Sequence, residues 1–234
     1  MCYRRGVSVL PPAHDASTLY VLDISGYIFR AYHALPDLAN SRGEPTHAVF
    51  GTLNMLRKLL EQQKPAYFAV AMDSKLPSFR HELYDRYKAN RPPPPPDLSQ
   101  QMERVRQLVV AYRIACLQKD GVEADDLIAS LVKEARGRNF KVVMVSADKD
   151  LLQLVDNNVC MYDSMRERVL GPQEVNAKLG VRPEQVIDYL ALTGDSSDNI
   201  PGVASVGPKT AVALLTEWGS LDGIYANLDR ISRA

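Results

Sequence analysis

The residues in this sequence that are most able to do chemistry are acidic. Because converging carboxylates repel one another, a cluster of them needs cations to stay ionised. The candidates have no His or Cys beside them, so these hard oxygen ligands favour Mg²⁺ or Mn²⁺ over zinc. Any single one could be an ordinary strand-end or helix-cap residue, so the prediction rests on the whole set. The predicted metal ligands are Asp23, Asp73, Glu123, Asp125, Asp126, Asp148, Asp150, Asp195 and Asp198.

Phosphodiester hydrolysis is the chemistry that such a cluster predicts. Two Mg²⁺ ions about 4 Å apart would clamp a scissile phosphate and activate water for in-line attack. The sequence contains no GxSxG elbow and no P-loop, and this mechanism requires no nucleophilic side chain. For the Glu-Ala-Asp-Asp stretch at 123–126, an N-terminal helix cap is the competing explanation, since acidic groups also stabilise a helix dipole.

The elements around these residues predict a parallel sheet. Short apolar runs at 19–22 and 66–72 are typical of buried strands, and helical spacing of apolar residues from 49 to 60 indicates a crossover helix between them. A second unit follows the same order, with a helix at 123–138 and a strand at 141–146. Functional crevices in such sheets lie beyond the carboxyl ends of the strands, where the aspartates fall.

Composition indicates an ordinary globular protein. Of 234 residues, 28 are Lys or Arg and 28 are Asp or Glu, so nucleic-acid affinity would have to come from local charge. Three scattered cysteines suggest neither a disulfide framework nor a zinc site, and no apolar run reaches the ~20 residues that span a bilayer. We expect a cytoplasmic protein with no membrane partner, a flexible tail at 1–17 and a small all-helical module from 171 onward.

Two further segments have features of nucleic-acid contacts. Residues 74–97 are basic, aromatic and proline-rich without a continuous apolar face, which predicts an exposed excursion suited to single-stranded DNA. Residues 202–210 form a glycine-rich hairpin before a helix start, where free backbone N–H groups, a lysine and a hydroxyl could meet a phosphate. The predicted contacts of this hairpin are Gly202, Ser205, Val206, Gly207, Pro208, Lys209 and Thr210.

Several motifs, taken in order, resemble the 5′ nuclease domain of bacterial DNA polymerase I. They are Phe-Arg-Ala-Tyr-His-Ala at 29–34, Pro-Ser-Phe-Arg-His at 77–81, Tyr-Lys-Ala-Asn-Arg at 87–91, the two acidic stretches at 123–126 and 147–150, and Thr-Gly-Asp-Ser-Ser-Asp-Asn at 193–199. The resemblance implies an α/β fold with a PIN-like, parallel-rich core over 18–170. It also implies a helical arch at about 74–105 and a helix-three-turn-helix module over 171–234.

The resemblance also implies roles for individual residues. Lys88 and Arg91 would steer or polarise the scissile phosphate, Arg30 would contact the strand near the metals and Tyr87 would stack on a base. The contact of Arg80 with DNA is predicted from the basic and aromatic segment itself. The hairpin would grip duplex DNA and bind K⁺ through backbone carbonyls. The matching carbonyls belong to Leu192, Thr193, Pro201, Val203 and Val206.

The resulting prediction is a 5′-3′ exonuclease and flap endonuclease of replication and repair that acts as a monomer on DNA with 5′ flaps, nicks or 5′ ends, alone or beside a polymerase. One alternative is a flap-binding protein with little or no activity, since free-standing relatives similar to exonuclease IX have lost acidic residues that are present here. A second is a PIN-like ribonuclease. The bulky Ile24 after Asp23 departs from the family pattern and is expected to disturb that ligand.

Overall fold

A six-stranded sheet forms the centre of the molecule in the computed structural model, which describes residues 3–4 and 7–231. The strands are β1 (Tyr3–Arg4), β2 (Val7–Ser8), β3 (Thr18–Asp23), β4 (Tyr67–Ala71), β5 (Ala115–Leu117), β6 (Lys141–Val145), β7 (Val159–Asp163), β8 (Arg168–Leu170), β9 (Gly194–Asp195) and β10 (Ile200–Pro201). The central sheet has the order β5-β4-β3-β6-β7-β8, and all its neighbouring pairs are parallel except β7 with β8. The predicted parallel-rich α/β core is confirmed.

Helices cover both faces of the sheet. They are α1 (Ile24–Ala34), α2 (His47–Gln63), α3 (Arg80–Leu83), α4 (Pro96–Ala111), α5 (Ala124–Gly137), α6 (Pro172–Leu179), α7 (Val186–Thr193), α8 (Pro208–Trp218) and α9 (Leu221–Tyr225), with 3₁₀ turns at Asp150–Leu154, Pro183–Gln185 and Leu228–Arg230. The crossover helix and the helix after Glu123 appear where sequence predicts them. The C-terminal part is helical as expected, apart from the short β9–β10 hairpin.

Successive side chains along the strands point to opposite faces of the sheet, which explains why the core has two sides. In β3, Tyr20 and Leu22 pack in one cluster with α1, α2 and α4, whereas Val21 packs in the other with α5. This is the period-two pattern of a sheet buried on both faces. The second cluster also contains Leu192 and Leu215, so the C-terminal helices share a core with the sheet.

The chain before the sheet differs from the predicted tail. Ser8 is buried and its hydroxyl donates to Glu174 over 2.6 Å. Asp15 accepts hydrogen bonds from Ser17 and pairs with Lys141 at 2.9 Å. These contacts fix residues 8–17 against the core, while residues 1–2, 5–6 and 232–234 lie outside the described residues.

The segment predicted as an arch is shorter than expected. From Leu98 onward, α4 buries Leu98, Val105 and Val109 in the core at helical spacing, so residues 98–105 belong to the core and not to an exposed arch. Between residues 74 and 95, all of which the structure describes, the one helix is the four-residue α3, and Tyr87 is buried. Across residues 3–4 and 7–231, no helix is both long and apolar enough to cross a membrane.

Candidate active site

An acidic crevice lies at the carboxyl ends of the parallel strands. Asp23 ends β3, Asp73 follows β4, and Asp148 follows β6, so the parallel topology brings them to one edge of the sheet. Eight carboxylates and two cations line this crevice, which leaves an excess of six negative charges when all are ionised. The lining charged residues are Asp23, Asp73, Glu123, Asp125, Asp148, Asp150, Asp195, Asp198, Lys88 and Arg91.

Local hydrogen bonds hold the first aspartates. Asp23 is the N-cap of α1, where its carboxylate accepts from Gly26 N at 3.1 Å and from Ser146 Oγ at 3.1 Å. Asp73 accepts from the backbone N of Ala124 at 2.8 Å. Ile24 is 1% exposed and packs into the core, so its side chain turns away from the crevice and the expected disturbance of Asp23 is absent.

The acidic start of α5 divides into two roles. Glu123 is its N-cap, and Asp125 lines the crevice with it. Asp126 closes a capping box by accepting from Glu123 N, and it forms a two-pronged ion pair with Arg80 at 2.6 and 2.8 Å. Asp126 lies outside the lining of the crevice and acts as a helix cap in this structure, so its role as a metal ligand stays a prediction. Arg80, expected on DNA, is engaged by this carboxylate.

The second carboxylate group brings the two parts of the chain together. One oxygen each from Asp150, Asp195 and Asp198 lies within 4.8 Å of the others, a spacing compatible with a shared metal ion. Asp150 Oδ1 is buried without a hydrogen-bond partner. Such an orphaned buried oxygen is costly unless a cation or water satisfies it. The donor set and this oxygen therefore fit a hard divalent cation.

Burial and mutual repulsion act on the protonation of this crevice. Burial raises the pKa of Asp23 from 3.8 to about 6, with repulsion from Asp73 adding to it. Burial likewise raises the pKa of Asp125 and of Asp150 to about 6. Raised carboxyl pKa values from burial and like charges indicate a site that favours an added positive charge.

Residues 84–91 fold onto the crevice as a strap. Lys88 Nζ lies 2.9 Å from Glu123 Oε2, and Arg91 pairs with Asp198 at 2.6 Å. Burial opposes ionisation of Glu123, yet hydrogen bonds from Lys88 and Tyr87 lower its pKa. The structure thus places the charged groups of Lys88 and Arg91 at the carboxylates, and their roles at a scissile phosphate stay predictions.

Tyr87 is enclosed beside the carboxylates in this structure, and its stacking on a base stays a prediction. Its ring is 4% exposed, and its hydroxyl donates towards Glu123 at 2.7 Å and Asp198 at 3.0 Å. A ring enclosed in this way presents no face to a nucleobase. Phe29, which lines the crevice, is 41% exposed, and Phe79, directly before α3, is 45% exposed.

Several residues around the crevice were not predicted. Phe29 lines the crevice from α1, Lys149 pairs with Asp195 at 3.1 Å, and Ser146 orients Asp23. Placing α1 directly after Asp23 would have put Phe29 one turn beyond Gly26, on the crevice side. Arg30 lines an adjoining cavity beside Asp23 and Asp148, with Asp163 at 3.8 Å as an ion-pair partner.

The glycine hairpin lies on the surface of the C-terminal part. Gly202, Ser205, Gly207, Pro208, Lys209 and Thr210 are exposed, and Val206 is partly so. Pro208 begins α8, and the first backbone N–H groups of that helix, in the exposed residues Lys209 and Thr210, have no partner within the helix. Among the potassium candidates, the carbonyls of Leu192 and Val203 each accept one backbone N–H, which leaves a lone pair on each for a cation.

Family comparisons agree with this architecture. Residues 18–180 match the 5′-3′ exonuclease N-terminal resolvase-like domain, and residues 181–234 match the 5′-3′ exonuclease C-terminal SAM fold. The chain is 41% identical over 216 residues to the 5′-3′ exonuclease of Aquifex aeolicus, covering 92% of this chain and 75% of that protein. It is 45% identical over 223 residues to DNA polymerase I of Rhizobium leguminosarum, covering 92% of this chain and only 22% of the polymerase.

Solved structures show the same fold. The bacteriophage T5 5′-exonuclease with bound zinc superposes with a TM-score of 0.76 at 23% identity, covering 93% of this chain and 81% of that one. Flap endonuclease-1 from Methanococcus jannaschii gives a TM-score of 0.59 at 17% identity, covering 93% and 77%. With both family domains matched in order over residues 18–234, this chain belongs to the 5′-3′ exonuclease and flap endonuclease family of nucleases.

Proposed function

We propose that this protein hydrolyses DNA phosphodiester bonds at 5′ flaps, nicks and 5′ ends by a two-metal mechanism. The observation that supports this function best is the crevice itself. Carboxylates from the sheet, from α5 and from the β9–β10 hairpin converge there around Asp150 Oδ1, which has no hydrogen-bond partner. Of the alternatives, the complete acidic set favours catalysis over binding alone. The match to both exonuclease domains favours DNA over the RNA substrate of a PIN-like ribonuclease.

Two divalent ions, Mg²⁺ or Mn²⁺, would occupy the crevice. The first group, Asp23, Asp73, Glu123 and Asp125, would mainly hold one ion, and Asp148, Asp150, Asp195 and Asp198 the other. When bound, these ions would activate the attacking water and stabilise the leaving oxygen. The protein itself holds eight carboxylates at one edge of the sheet. The start of α5 and the β9–β10 hairpin position four of them.

Lys88 and Arg91 would bind the scissile phosphate. In the structure they neutralise Glu123 and Asp198. Both charged groups are therefore already at the crevice. A phosphate bound there would compete with Glu123 and Asp198 for Lys88 and Arg91. Arg30, 32% exposed and only loosely paired with Asp163, would hold the strand on the other side of Asp23.

The hairpin at 202–210 would hold the duplex next to the crevice. Its exposed N–H groups and Lys209 suit backbone phosphates, which position a protein without reading sequence. A K⁺ ion held by carbonyls among Leu192, Thr193, Pro201, Val203 and Val206 would add positive charge at the same place. Because polymerase relatives carry a matching region, this protein would act beside a DNA polymerase, as a monomer in the cytoplasm at the nucleoid.

Separating cleavage from binding tests this assignment. Asp198→Ala removes a metal ligand, so we expect cleavage of a 5′-flap duplex with Mg²⁺ to fall by at least 100-fold. Flap binding measured with Ca²⁺ should change less than threefold. Asp229→Ala, an exposed aspartate of the C-terminal part, is the matched control. If Asp198→Ala lost flap binding as much as or more than flap cleavage, the role of the crevice in metal-dependent cleavage would be contradicted.

A further inference from the structure

The hydroxyl of Tyr87 lies between the two proposed groups of metal ligands. It is 2.7 Å from Glu123 Oε2 in the first group and 3.0 Å from Asp198 Oδ2 in the second. A phenol carries one proton, so it donates to one of these oxygens at a time and keeps both within reach. Glu123 and Asp198 come from α5 and from the β9–β10 turn, and this hydroxyl links them directly.

The surroundings of Tyr87 hold its hydroxyl in place. Its ring packs edge-on against His81 at 5.2 Å. The backbone N of Lys88 donates to the carbonyl of Asp198 at 2.9 Å, and the side chain of Asn90 donates to the carbonyl of Ser196 at 2.8 Å. The strap and the β9–β10 turn therefore form one unit, and the hydroxyl position follows from backbone contacts on both sides.

Charge distinguishes Tyr87 from the cations that contact these carboxylates, and its reach to Asp198 distinguishes it from Ser78, whose neutral hydroxyl donates to Glu123 at 2.9 Å. Lys88 and Arg91 are cations, so a divalent ion bound at Glu123 or Asp198 would repel them. The Tyr87 phenol is neutral, so a bound divalent ion would not repel it in this way. A carboxylate oxygen can accept a hydrogen bond through one lone pair and bind a metal through the other, so the Tyr87 contact is compatible with an occupied site.

We propose that the Tyr87 hydroxyl is a positioning group that aligns Glu123 and Asp198 as metal ligands and couples the two metal positions. This inference rests on the proposed metal-dependent function. Partners that orient metal ligands typically contribute 10- to 100-fold to metal affinity. We therefore expect Tyr87→Phe, which keeps the buried ring, to weaken divalent-metal binding by about 10-fold.

Calorimetric titration of the full chain with Mn²⁺, without DNA, tests the proposal. The variants are Tyr87→Phe and the control Tyr67→Phe, whose ring lies at the opposite end of the sheet at the start of β4. Only Tyr87→Phe should bind Mn²⁺ more weakly. Melting curves in EDTA check that both variants are folded. Equal or tighter Mn²⁺ binding by folded Tyr87→Phe would overturn the positioning role.

A second readout separates positioning from base stacking. If the hydroxyl aligns ligands, Tyr87→Phe should raise the Mg²⁺ concentration for half-maximal flap cleavage while leaving flap affinity in Ca²⁺ unchanged. Reduced flap affinity with normal metal dependence would overturn the proposal in favour of a DNA contact. Absence of Mn²⁺ binding by the unaltered protein would contradict the proposed function as well, whereas normal binding by both proteins contradicts the positioning role alone.

Discussion

Replacing Asp150 with asparagine should stabilise the metal-free protein. Burial, together with repulsion from Asp148 and Asp195, raises the pKa of Asp150 from 3.8 to about 6. That difference corresponds to on the order of 1–3 kcal/mol of stability lost when the carboxyl is ionised at neutral pH. Asparagine keeps the shape and removes the charge. For a chain of this length the gain corresponds to a rise in melting temperature of roughly 2–10 °C.

The pH dependence follows from the direction of the shift. Below about pH 3 the Asp150 carboxyl is protonated in both folded and unfolded chains, so the variant gains nothing there. Between about pH 3 and 6 the unfolded chain ionises first, and the penalty on the folded wild type grows until it levels off above pH 6. The variant should therefore melt at a higher temperature than wild type at pH 7.5 in EDTA, and at the same temperature as wild type at about pH 3.

Mg²⁺ should reverse this order, because a ligand that binds only the folded state stabilises it. Wild type should gain more from saturating Mg²⁺ than Asp150→Asn does. Asp229→Asn, which removes an exposed charge that does not line the crevice, should show neither effect. Thermal melting in EDTA and Mg²⁺ at both pH values is the assay. Equal melting of Asp150→Asn and wild type at pH 7.5 in EDTA would refute the reasoning.

Three further changes have defined outcomes. Gly202→Ala places a methyl over the backbone of Thr193 and should cost about 1–3 kcal/mol in urea unfolding, whereas Gly137→Ala, which meets nothing within 4 Å, should not destabilise. Lys209→Ala should weaken duplex binding and lower its salt slope by about one, measured by fluorescence anisotropy at several salt concentrations. A hydrogen bond from Ser17 and the Lys141 ammonium lower the pKa of Asp15. The ionised Asp15 carboxylate therefore contributes about 1–2 kcal/mol to the free energy of unfolding at neutral pH, and this contribution is lost only in acid. Unfolding of Asp15→Asn should accordingly differ from wild type at pH 7 and converge with it as the pH falls well below 4.

The convergence of the aspartates was predictable because one topological rule governs it. Asp23, Asp73 and Asp148 each follow a parallel strand, and parallel strands end at one edge. The helix after Asp23 was missed because Ile-Ser-Gly carries no helix signal by itself. There the Asp23 side chain caps the helix, and Ile24 packs inward.

The roles of the strap residues could not be predicted from local sequence. Tyr87 bonds to Glu123 and Asp198, which are 36 and 111 residues away in sequence. Arg80 likewise finds Asp126 across 46 residues. An exposed basic and aromatic segment and one folded onto an acidic crevice have the same local pattern, and only the tertiary contacts distinguish them.

Cleavage of a 5′-flap duplex labelled at its 5′ end, followed with Mg²⁺ or with EDTA, tests the central claim most directly. Two-metal hydrolysis at the crevice predicts products cut near the base of the flap or released stepwise from the 5′ end, with Mg²⁺ only. Cleavage that persists in EDTA would contradict the account. So would binding of the flap with no cleavage in Mg²⁺ or Mn²⁺.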